Sequence, residues 1–431
     1  MDSRSGGVFL FLTTQLAKGV NLHIRQTTQF KTISFSIKFR RPLTEQAAAQ
    51  RSVLSNVLHH SNEKFKTTAA FRNYLDDLFG TVLYFDTSKR GYEHTLFLNA
   101  ETVNDQYLKD SNVLNEVLET LYDAIFKPNF ENGQFVPSIV EREKEMVLER
   151  INSIFDDKTR FAQTRLTQIL RPNNAASISA NGTAEEVEAV TPNSLKEAYE
   201  AMIAQDVIDI YVVGDVNIEE ITAKLREYLP FKDREPFADE TVRDSLPSKV
   251  EPYTKEQHDM KQGKLHVGFK APVLFGEEDF PKMQIFNGIF GGYAHSKLFM
   301  NVRERESLAY YASSSYASHY GLLYVVSGIE PSNEKKAIEV IDEQLQAMQN
   351  GDITDLELAQ TKAMLTNQMK EALDSARGQI EIFDQYKDLN EPFTFDTWAT
   401  RWASVTKEDV QQMAGLIEKE AVYFLCGKEE N

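Results

Sequence analysis

The feature that most constrains the fold is an internal duplication. In the middle of the chain, Val190-Thr191-Pro192 opens a helical apolar period that leads into a strand pattern at 208–213 and then a glycine. Near the far end, Val405-Thr406 opens a similar helix, followed by a strand pattern at 422–425 and another glycine. Both threonines are suited to cap these helices, and they lie 215 positions apart in a sequence of 431 residues. The sequence therefore predicts two copies of one structural unit.

A second pair of segments supports the duplication. Residues 54–60 resemble residues 286–292, and each segment precedes an amphipathic helix and an aromatic-rich strand. Between the halves the chain is polar, contains Pro236, Pro247 and Pro252, and shows no sustained period, which is typical of a linker. We predict a poorly ordered leader over residues 1–17, an N-terminal lobe over 18–230, a linker over 231–262 and a C-terminal lobe over 263–431.

Both halves mix strand and helix patterns in the same way. Clusters of strands are separated by long helices, without the regular alternation that produces a parallel sheet. The sequence therefore predicts an α+β fold with two homologous lobes, each an antiparallel-rich sheet covered by helices on one face. Strands are predicted at 20–24, 32–39, 81–86, 94–99, 208–213, 264–269, 309–315, 322–329 and 422–425, and helices at 48–60, 68–79, 113–125, 137–155, 333–348, 355–379 and 407–417.

The composition argues against several classes of protein. A formal net charge of −18 repels nucleic acid and acidic membrane surfaces. No stretch reaches the roughly 18 apolar residues of a membrane span, and the apolar run at 8–12 is too short for the core of a signal peptide. The single cysteine, Cys426, excludes a disulfide within the chain and is predicted to be a buried small hydrophobe. We predict a cytoplasmic protein that binds neither nucleic acid nor membrane.

A specific signature lies in the second half. The segment 290–299 reads FGGYAHSKLF, and the segment 302–310 reads VRERESLAY. These segments resemble the glycine turn, the S-x-L-F run and the R-E-x-x-G-L-A-Y run of the pitrilysin/insulinase (M16) peptidase superfamily, in its bacterial processing-peptidase-like branch. The resemblance covers roughly residues 18–428. It implies two homologous lobes, each a strand-rich sheet covered by helices.

The resemblance draws attention to a missing metal motif. Active members of the superfamily carry H-x-x-E-H on the first long helix; two histidines one turn apart bind zinc, the glutamate takes a proton from the bound water, and a later helix supplies a glutamate ligand. Here the motif falls on Ser52 to Asn56 or, shifted by one residue, on Val53 to Val57, and Arg150 stands near the third-ligand position. Neither register supplies a histidine or a glutamate. The resemblance therefore implies a zinc-less member that has no cofactor and does not cut peptides alone.

Other residues of the sequence make a poor metal site. His59 and His60 are adjacent, so on a helix they point about 100° apart. His60 and Glu63 have a spacing that suits two ligands, and the alternative interpretation is a polar helix end facing solvent. The acidic stripe between Glu141 and Glu149 alternates with basic residues, which favours a solvated face. The remaining histidines are scattered, so we predict no metal ligands.

The superfamily carries a second constellation on the other lobe, an arginine and a tyrosine seven residues apart. Arg303 and Tyr310 match it. A guanidinium can clamp a substrate carbonyl, and a phenol can donate to a developing oxyanion; the alternative is a surface charge and a sheet aromatic. Gly291 and Gly292 match the turn that flanks the cleft and are further candidates for substrate binding. The segment Asn181-Gly182-Thr183 is interpreted as a loop before a helix and nothing more.

In branches of this superfamily, one polypeptide carries the zinc motif, a related one carries the Arg/Tyr pair, and the two form a heterodimer that encloses a chamber. The resemblance therefore implies that this chain is the Arg/Tyr partner. We predict the non-catalytic subunit of a heterodimeric M16-type zinc peptidase, whose partner is a zinc-bearing M16 paralogue and whose substrates are peptides or small proteins. The chain would supply Arg303 and Tyr310 in trans, part of the chamber wall and, at 309–315, a candidate edge strand for a bound peptide. The alternative is a peptide-binding or scaffolding homodimer with no catalytic role. A stand-alone metalloenzyme with unusual ligands is disfavoured because the motif is absent.

Overall fold

The computed structural model describes residues 11–109, 112–238 and 250–428 of the chain. Its strands are β1 (Leu12–Ala17), β2 (Val20–Gln26), β3 (Thr32–Pro42), β4 (Val82–Arg90), β5 (Glu93–Val103), β6 (Phe130–Glu131), β7 (Gln134–Phe135), β8 (Val207–Gly214), β9 (Tyr253–His258), β10 (Gly263–Lys270), β11 (Ala309–Ala317), β12 (Leu322–Ile329) and β13 (Glu418–Gly427). Its helices are α1 (Glu45–His60), α2 (Thr68–Asp77), α3 (Val113–Phe126), α4 (Pro137–Asp156), α5 (Lys158–Leu170), α6 (Ala184–Glu188), α7 (Pro192–Gln205), α8 (Ile218–Tyr228), α9 (Phe280–Asn287), α10 (Glu334–Gln349), α11 (Asp355–Leu373), α12 (Ala376–Tyr386), α13 (Phe395–Ser404) and α14 (Lys407–Gly415). Two π-helical segments follow α9, at Gly288–Gly292 and Phe299–Arg305.

The apolar period at 355–379 is two helices, so the prediction of one helix there was wrong. Helix α11 ends at Leu373, and α12 begins at Ala376. The Ser375 side chain accepts a hydrogen bond from the Gly378 N–H at 3.0 Å, which caps the first turn of α12. The helical period continues across this break, so apolar spacing alone did not indicate it.

The described residues divide into two compact units. The first contains residues 11–152, 178–238 and 373–385, and the second contains residues 153–177, 250–372 and 386–428. Helix α5 thus belongs to the second unit and most of α12 to the first. Each unit thus contains a helix from the other half of the sequence, and we call this the helix exchange. The predicted lobes at 18–230 and 263–431 are continuous and do not include it. An apolar helix face has the same period whichever sheet it covers, so the sequence does not reveal the exchange.

The segments interpreted as leader and linker each contain a strand. Residues 12–17 form β1, which pairs antiparallel with β2, and residues 1–10 lie outside the described residues. Residues 253–258 form β9, which pairs in parallel with β13, and residues 239–249 also lie outside the described residues. Both are short edge strands in which polar residues interrupt the apolar ones, LTTQLA and YTKEQH. They therefore lack the apolar run that marks a strand in a sequence.

Among the described residues, the main sheets of the two units share an order of five strands, and the first sheet has β1 as an additional edge strand. The order is β1-β2-β8-β3-β5-β4 in the first unit and, in the corresponding direction, β9-β13-β10-β12-β11 in the second. The β2–β8 and β9–β13 pairs are parallel, and the remaining pairs of both sheets are antiparallel. Thr191 and Thr406 form capping boxes at the starts of α7 and α14, which occupy equivalent places. The predicted α+β fold with two homologous, antiparallel-rich lobes is confirmed.

One face of each sheet packs on the main helical layer. In the first unit, Phe35 and Ile210 of the sheet share one apolar core with Leu54 of α1 and Leu118 of α3. In the second unit, Phe269 of β10 meets Phe290 of the first π-helical segment edge-on, with ring centroids 6.3 Å apart. The alternation of apolar side chains along each strand places this core on one face of its sheet.

The opposite face of each sheet is covered by the exchanged helix, and the two units use different chemistry there. In the first unit, α12 lies on a buried polar layer, in which Lys38 Nζ is 2.9 Å from a Glu381 carboxylate oxygen and 3.0 Å from Asp384 Oδ2. The Tyr211 hydroxyl donates to the other oxygen of Asp384. In the second unit, α5 forms an apolar cluster with the sheet through Phe161, Ala162, Leu166 and Leu170 against Leu322, Tyr324, Ala421, Tyr423 and Leu425.

A buried arginine fixes α1 on the first sheet. Arg51 is 1% exposed. Its guanidinium donates to the Phe39 carbonyl at 2.7 Å, to His94 Nδ1 at 3.0 Å and to the Asp206 carboxylate. Because a guanidinium only donates, His94 Nδ1 must accept and the proton lies on Nε2, which donates to the Ala180 carbonyl at 2.9 Å. Arg51 thus connects α1 to β3, to β5 and to the segment between α7 and β8.

Two further features bear on the predictions. Cys426 is 2% exposed, so the prediction of a buried cysteine is confirmed. Among the described helices, none is both long enough and apolar enough to cross a bilayer.

Removing the cation of the Arg51–Asp206 pair should destabilise the first unit. Arg51→Met leaves the Asp206 carboxylate buried without its main partner, and we expect a loss of about 3–5 kcal/mol in the free energy of unfolding. The double variant Arg51→Met/Asp206→Leu removes both charges and should recover most of this loss. Urea unfolding followed by far-UV circular dichroism measures both differences. Equal stability of the single and double variants would contradict the assignment.

The second unit should carry an acid-sensitive histidine. His266 is fully buried in β10, and neither ring nitrogen has a hydrogen-bond partner among the described residues. Burial together with Lys264 lowers its pKa from 6.5 to about 3. The unfolded chain takes up this proton near pH 6.5 and the folded chain only near pH 3, so stability is lost as the pH falls through that window. At pH 5 the loss is roughly 2 kcal/mol.

His266→Phe should remove this sensitivity. Both tryptophans of the chain, Trp398 and Trp402, lie in the second unit, so tryptophan fluorescence follows its unfolding. Between pH 7.5 and pH 5.0, we expect the unfolding free energy of the variant to fall by about 2 kcal/mol less than that of the wild type. Comparing each protein with itself at two pH values cancels the change in packing. An identical pH dependence in both proteins would refute the expectation.

Candidate functional site

The first candidate site lies on α1, at the positions that align with the zinc motif of the superfamily. Helix α1 begins after Thr44, whose side chain accepts from the Ala47 N–H at 3.2 Å. Ser52 and Asn56 are one turn apart and share a face, whereas Val53 and Val57 are buried in the apolar core. The register from Ser52 to Asn56 therefore faces the site, and the shifted register faces the core.

Arg150 of α4 joins this face of α1 to a loop. Its Nη2 donates to Asn56 Oδ1 at 3.3 Å, and its Nη1 donates to Asn181 Oδ1 at 3.3 Å. The Ser52 hydroxyl donates to the same Asn181 oxygen at 2.9 Å. We call Ser52, Asn56, Arg150 and Asn181 the Arg150 cluster. All four belong to the first unit.

The Arg150 cluster does not fit a zinc ion. Neutral alcohols and amides are poor zinc ligands beside imidazole, thiolate and carboxylate, and the guanidinium stays charged and offers no lone pair. At the position of the general-base glutamate, the Ser55 hydroxyl donates back to the Ser52 carbonyl at 2.9 Å inside the helix. Among the described residues, no group of three or more His, Cys, Asp or Glu side chains is close enough to hold a metal ion.

The loop before α6 is positioned by close backbone packing. Gly182 has φ +71°, and a Cβ there would lie 2.6 Å from Ala49 Cβ of α1, so the site requires glycine. His94 Nε2 holds the Ala180 carbonyl, and the Lys89 ammonium donates to the Ile178 carbonyl. Burial lowers the pKa of Lys89 to about 8. These contacts place the Asn181 side chain beside Arg150.

Asn181 is the residue that sequence reasoning missed. The interpretation of 181–183 as a loop before a helix was right as far as it went, since the Thr183 side chain accepts from the Glu186 N–H at 3.2 Å and caps α6. Only a tertiary contact brings Asn181 to Arg150. The one local signal is Gly182, whose positive φ and close approach to α1 mark a loop that touches the helix.

The histidines near the end of α1 have other partners. Arg142 Nη1 contacts His60 Nε2 at 3.1 Å, and His59 Nδ1 accepts from the Phe85 N–H at 3.4 Å. Burial is the largest cause lowering the pKa of both imidazoles. The acidic stripe of α4, formed by Glu141, Glu145 and Glu149, is exposed, as expected of a solvated face.

The second candidate site, Arg303 and Tyr310, lies in the second unit. Tyr310 is on β11, an edge strand of the sheet, and is 56% exposed. Its hydroxyl donates to the Glu330 carboxylate, and this hydrogen bond raises the pKa of the phenol. The Arg303 guanidinium lies 4.6 Å from the centre of the Phe299 ring and 3.6 Å from Glu304. The two side chains thus have different partners, although their elements pack together.

The turn between these residues explains one glycine of the family signature. Ser307 stands where the R-E-x-x-G-L-A-Y run has glycine, and it has φ +51°. A left-handed backbone costs an L-residue roughly 1–2 kcal/mol. The chain keeps this turn with serine, so the backbone path into β11 is retained.

Gly291 has a packing role. A Cβ on Gly291 would lie 2.6 Å from the backbone nitrogen of Ser314, so glycine allows the π-helical segment to approach β11. Gly292 is exposed and lies beyond the buried part of that segment. Substrate binding by either glycine stays a prediction.

Comparisons with known proteins agree with this geometry. Residues 189–365 match the family described as "Peptidase M16 inactive domain". The chain is 37% identical over 413 residues to the "Probable inactive metalloprotease YmfF" of Bacillus subtilis (strain 168), covering 95% of this chain and 96% of that relative. It is 24% identical over 340 residues to the "Uncharacterized zinc protease YmfH" of the same strain, covering 76% of each.

A solved structure has a similar fold over nearly the whole chain. A "conserved protein from Enterococcus faecalis V583" has 34% sequence identity and a TM-score of 0.92, covering 98% of this chain and 99% of that one. Together with the replaced metal positions, these likenesses identify the family, and the chain belongs to the M16 peptidases as a homologue of their inactive members.

Proposed function

We propose that this chain is the non-catalytic, zinc-less subunit of a heterodimeric M16-type zinc peptidase. The observation that carries the proposal is the contrast between the two candidate sites. The first has Ser52, Asn56 and Arg150 where a metal would need its ligands, whereas the second keeps Tyr310 and Arg303 exposed on two elements that pack together. A subunit of this kind would need its metal from another chain.

The chemistry assigned to Tyr310 agrees with its surroundings. A phenol is protonated at neutral pH, and the hydrogen bond to Glu330 raises its pKa further, so the hydroxyl can act as a donor. A developing oxyanion would compete with Glu330 for that proton as a hydrogen-bond acceptor. Arg303 is 41% exposed at its side chain and would clamp a peptide carbonyl.

The sheet edge offers a place for the peptide backbone. β11 pairs only with β12 within the described part of the second sheet, so its other side has unpaired backbone groups. An extended peptide can add to such an edge as a further strand. A peptide lying along β11 would run beside Tyr310, which supports the assignment of a chamber wall to this strand.

The relatives support a zinc-bearing partner. Bacillus subtilis (strain 168) has one relative named as an inactive metalloprotease and another named as a zinc protease. We propose a partner of the second kind, with peptides or small proteins as substrates and the cytoplasm as location. The alternative proposal, a peptide-binding or scaffolding homodimer with no catalytic role, keeps the peptide edge and gives Arg303 and Tyr310 no part in catalysis.

The partner should be recoverable from the native organism. We expect a tagged copy of this chain, expressed near its native level and purified at low salt, to bring down a near-stoichiometric M16 relative that carries H-x-x-E-H. Mass spectrometry of the purified material identifies the chains. Recovery of this chain alone as a dimer would favour the homodimeric alternative.

Tyr310→Phe should then impair the reconstituted pair. Losing one oxyanion donor costs about 10²–10³ in kcat, so we expect a fall of that size in peptide hydrolysis with little change in KM. Tyr253→Phe is the matched control, because Tyr253 is also a half-exposed sheet tyrosine and donates to Glu334 at 2.6 Å from the opposite edge of the same sheet. Equal kcat values for the two variants would show that Tyr310 is not a hydrogen-bond donor in the reaction.

A further inference from the structure

The Arg150 cluster replaces a bound cation with a cation of the chain itself. A zinc site presents positive charge surrounded by lone pairs, whereas here the guanidinium is oriented by the oxygens of two side-chain amides. The site therefore keeps its positive charge but has lost the ligands that would hold a metal and the base that would activate water. What it can still do is bind an anion.

The amides add donors to the guanidinium. Because Asn56 and Asn181 each accept through oxygen, their NH2 groups are the ends that remain to donate. Within the described residues, neither amide nitrogen has a protein acceptor. Arg150 is exposed and the two amides are half-buried, so a ligand can reach all three from solvent.

The surroundings leave the cluster positive. Lys89 lies beneath the loop, bound to the Ile178 carbonyl, and adds a second cation. The nearby buried acid is Glu143, two turns earlier on α4, whose carboxylate is 3.7 Å from Arg142. Burial raises its pKa, and the charges of Arg142 and Arg150 act in the opposite direction, so one carboxylate is shared between two guanidinium groups. Glu149 is exposed to solvent, which screens its charge.

We propose that the Arg150 cluster binds a carboxylate group of a peptide. A planar guanidinium matches a carboxylate with two parallel hydrogen bonds, and flanking amides can donate further ones. The carboxylate comes either from the C-terminus of the peptide or from an Asp or Glu side chain. The site lies within the first unit, so the inference holds with or without a zinc-bearing partner.

The position of the cluster gives the binding a specific consequence. A catalytic zinc ion would act as a Lewis acid that polarises a substrate carbonyl. A guanidinium at the same place holds a charged group without activating water, because Ser55 is no base. The first unit then acts as an anchor that retains acidic or free-ended peptides uncut.

Calorimetric titration of the full chain with three acetylated octapeptides tests the proposal. All three share a Gly/Ala/Val sequence; the first has a free C-terminal carboxylate, the second a C-terminal amide, and the third a C-terminal amide with one internal Glu. We expect the first or the third to bind about tenfold or more tightly than the second, as a hydrogen bond to a charged group would give. A preference for the first identifies a C-terminal carboxylate, and a preference for the third identifies an acidic side chain.

Variants test whether the Arg150 cluster causes the preference for a peptide with a carboxylate. Arg150→Gln should abolish it and Arg150→Lys should weaken it, because an ammonium cannot form the two-pronged contact. Arg142→Gln is the matched control, an exposed arginine of the same helix outside the cluster. Circular dichroism checks that each variant is folded. Equal affinity for the three peptides, no binding at millimolar concentration, or a preference that survives Arg150→Gln would overturn the proposal.

Discussion

The hydrogen bonds of Arg51 are the constraint on which the first unit depends. Its buried guanidinium donates to a carbonyl of β3, an imidazole of β5 and a carboxylate before β8. The same imidazole donates to the Ala180 carbonyl and so positions the loop that carries Asn181. An apolar side chain could fill this space but could not fix the rotation of α1 about its axis. That rotation determines where Ser52 and Asn56 lie relative to Arg150. The geometry of the Arg150 cluster therefore depends on the hydrogen bonds of Arg51, which is not a member of the cluster.

The two units show how a duplicated fold can diverge beneath its helices. Both copies share the order of five strands and have capping threonines at equivalent helices. The surfaces under the exchanged helices differ, because α5 covers an apolar surface and α12 covers a layer of ion pairs around Lys38 and Asp384. Burying charges costs solvation that apolar contacts do not, so such a layer selects one arrangement of partners more strictly.

Much of the fold could be predicted from the sequence, and the candidate site only in part. Apolar period and capping residues predicted the elements and the duplication, because these signals are local. The comparison with the zinc motif pointed to Ser52, Asn56 and Arg150, which the structure brings together. The contact with Asn181 could not be predicted, because it joins residues 31 positions apart through a loop whose path depends on Gly182 and Ala49. The exchange of α5 and α12 was missed for a related reason, since period does not reveal which sheet a helix covers.

The exchange has a consequence for how the chain acquires its structure during synthesis. The last strand of the first sheet ends at Gly214, yet the helix that covers the polar face of that sheet begins at Ala376, about 160 residues later. The ribosome therefore releases a first sheet whose ammonium and phenol groups still lack their carboxylate partners. At about 5–20 residues per second, this interval lasts on the order of ten seconds or more. The nascent chain must remain soluble throughout, with one side of its first sheet exposed to water.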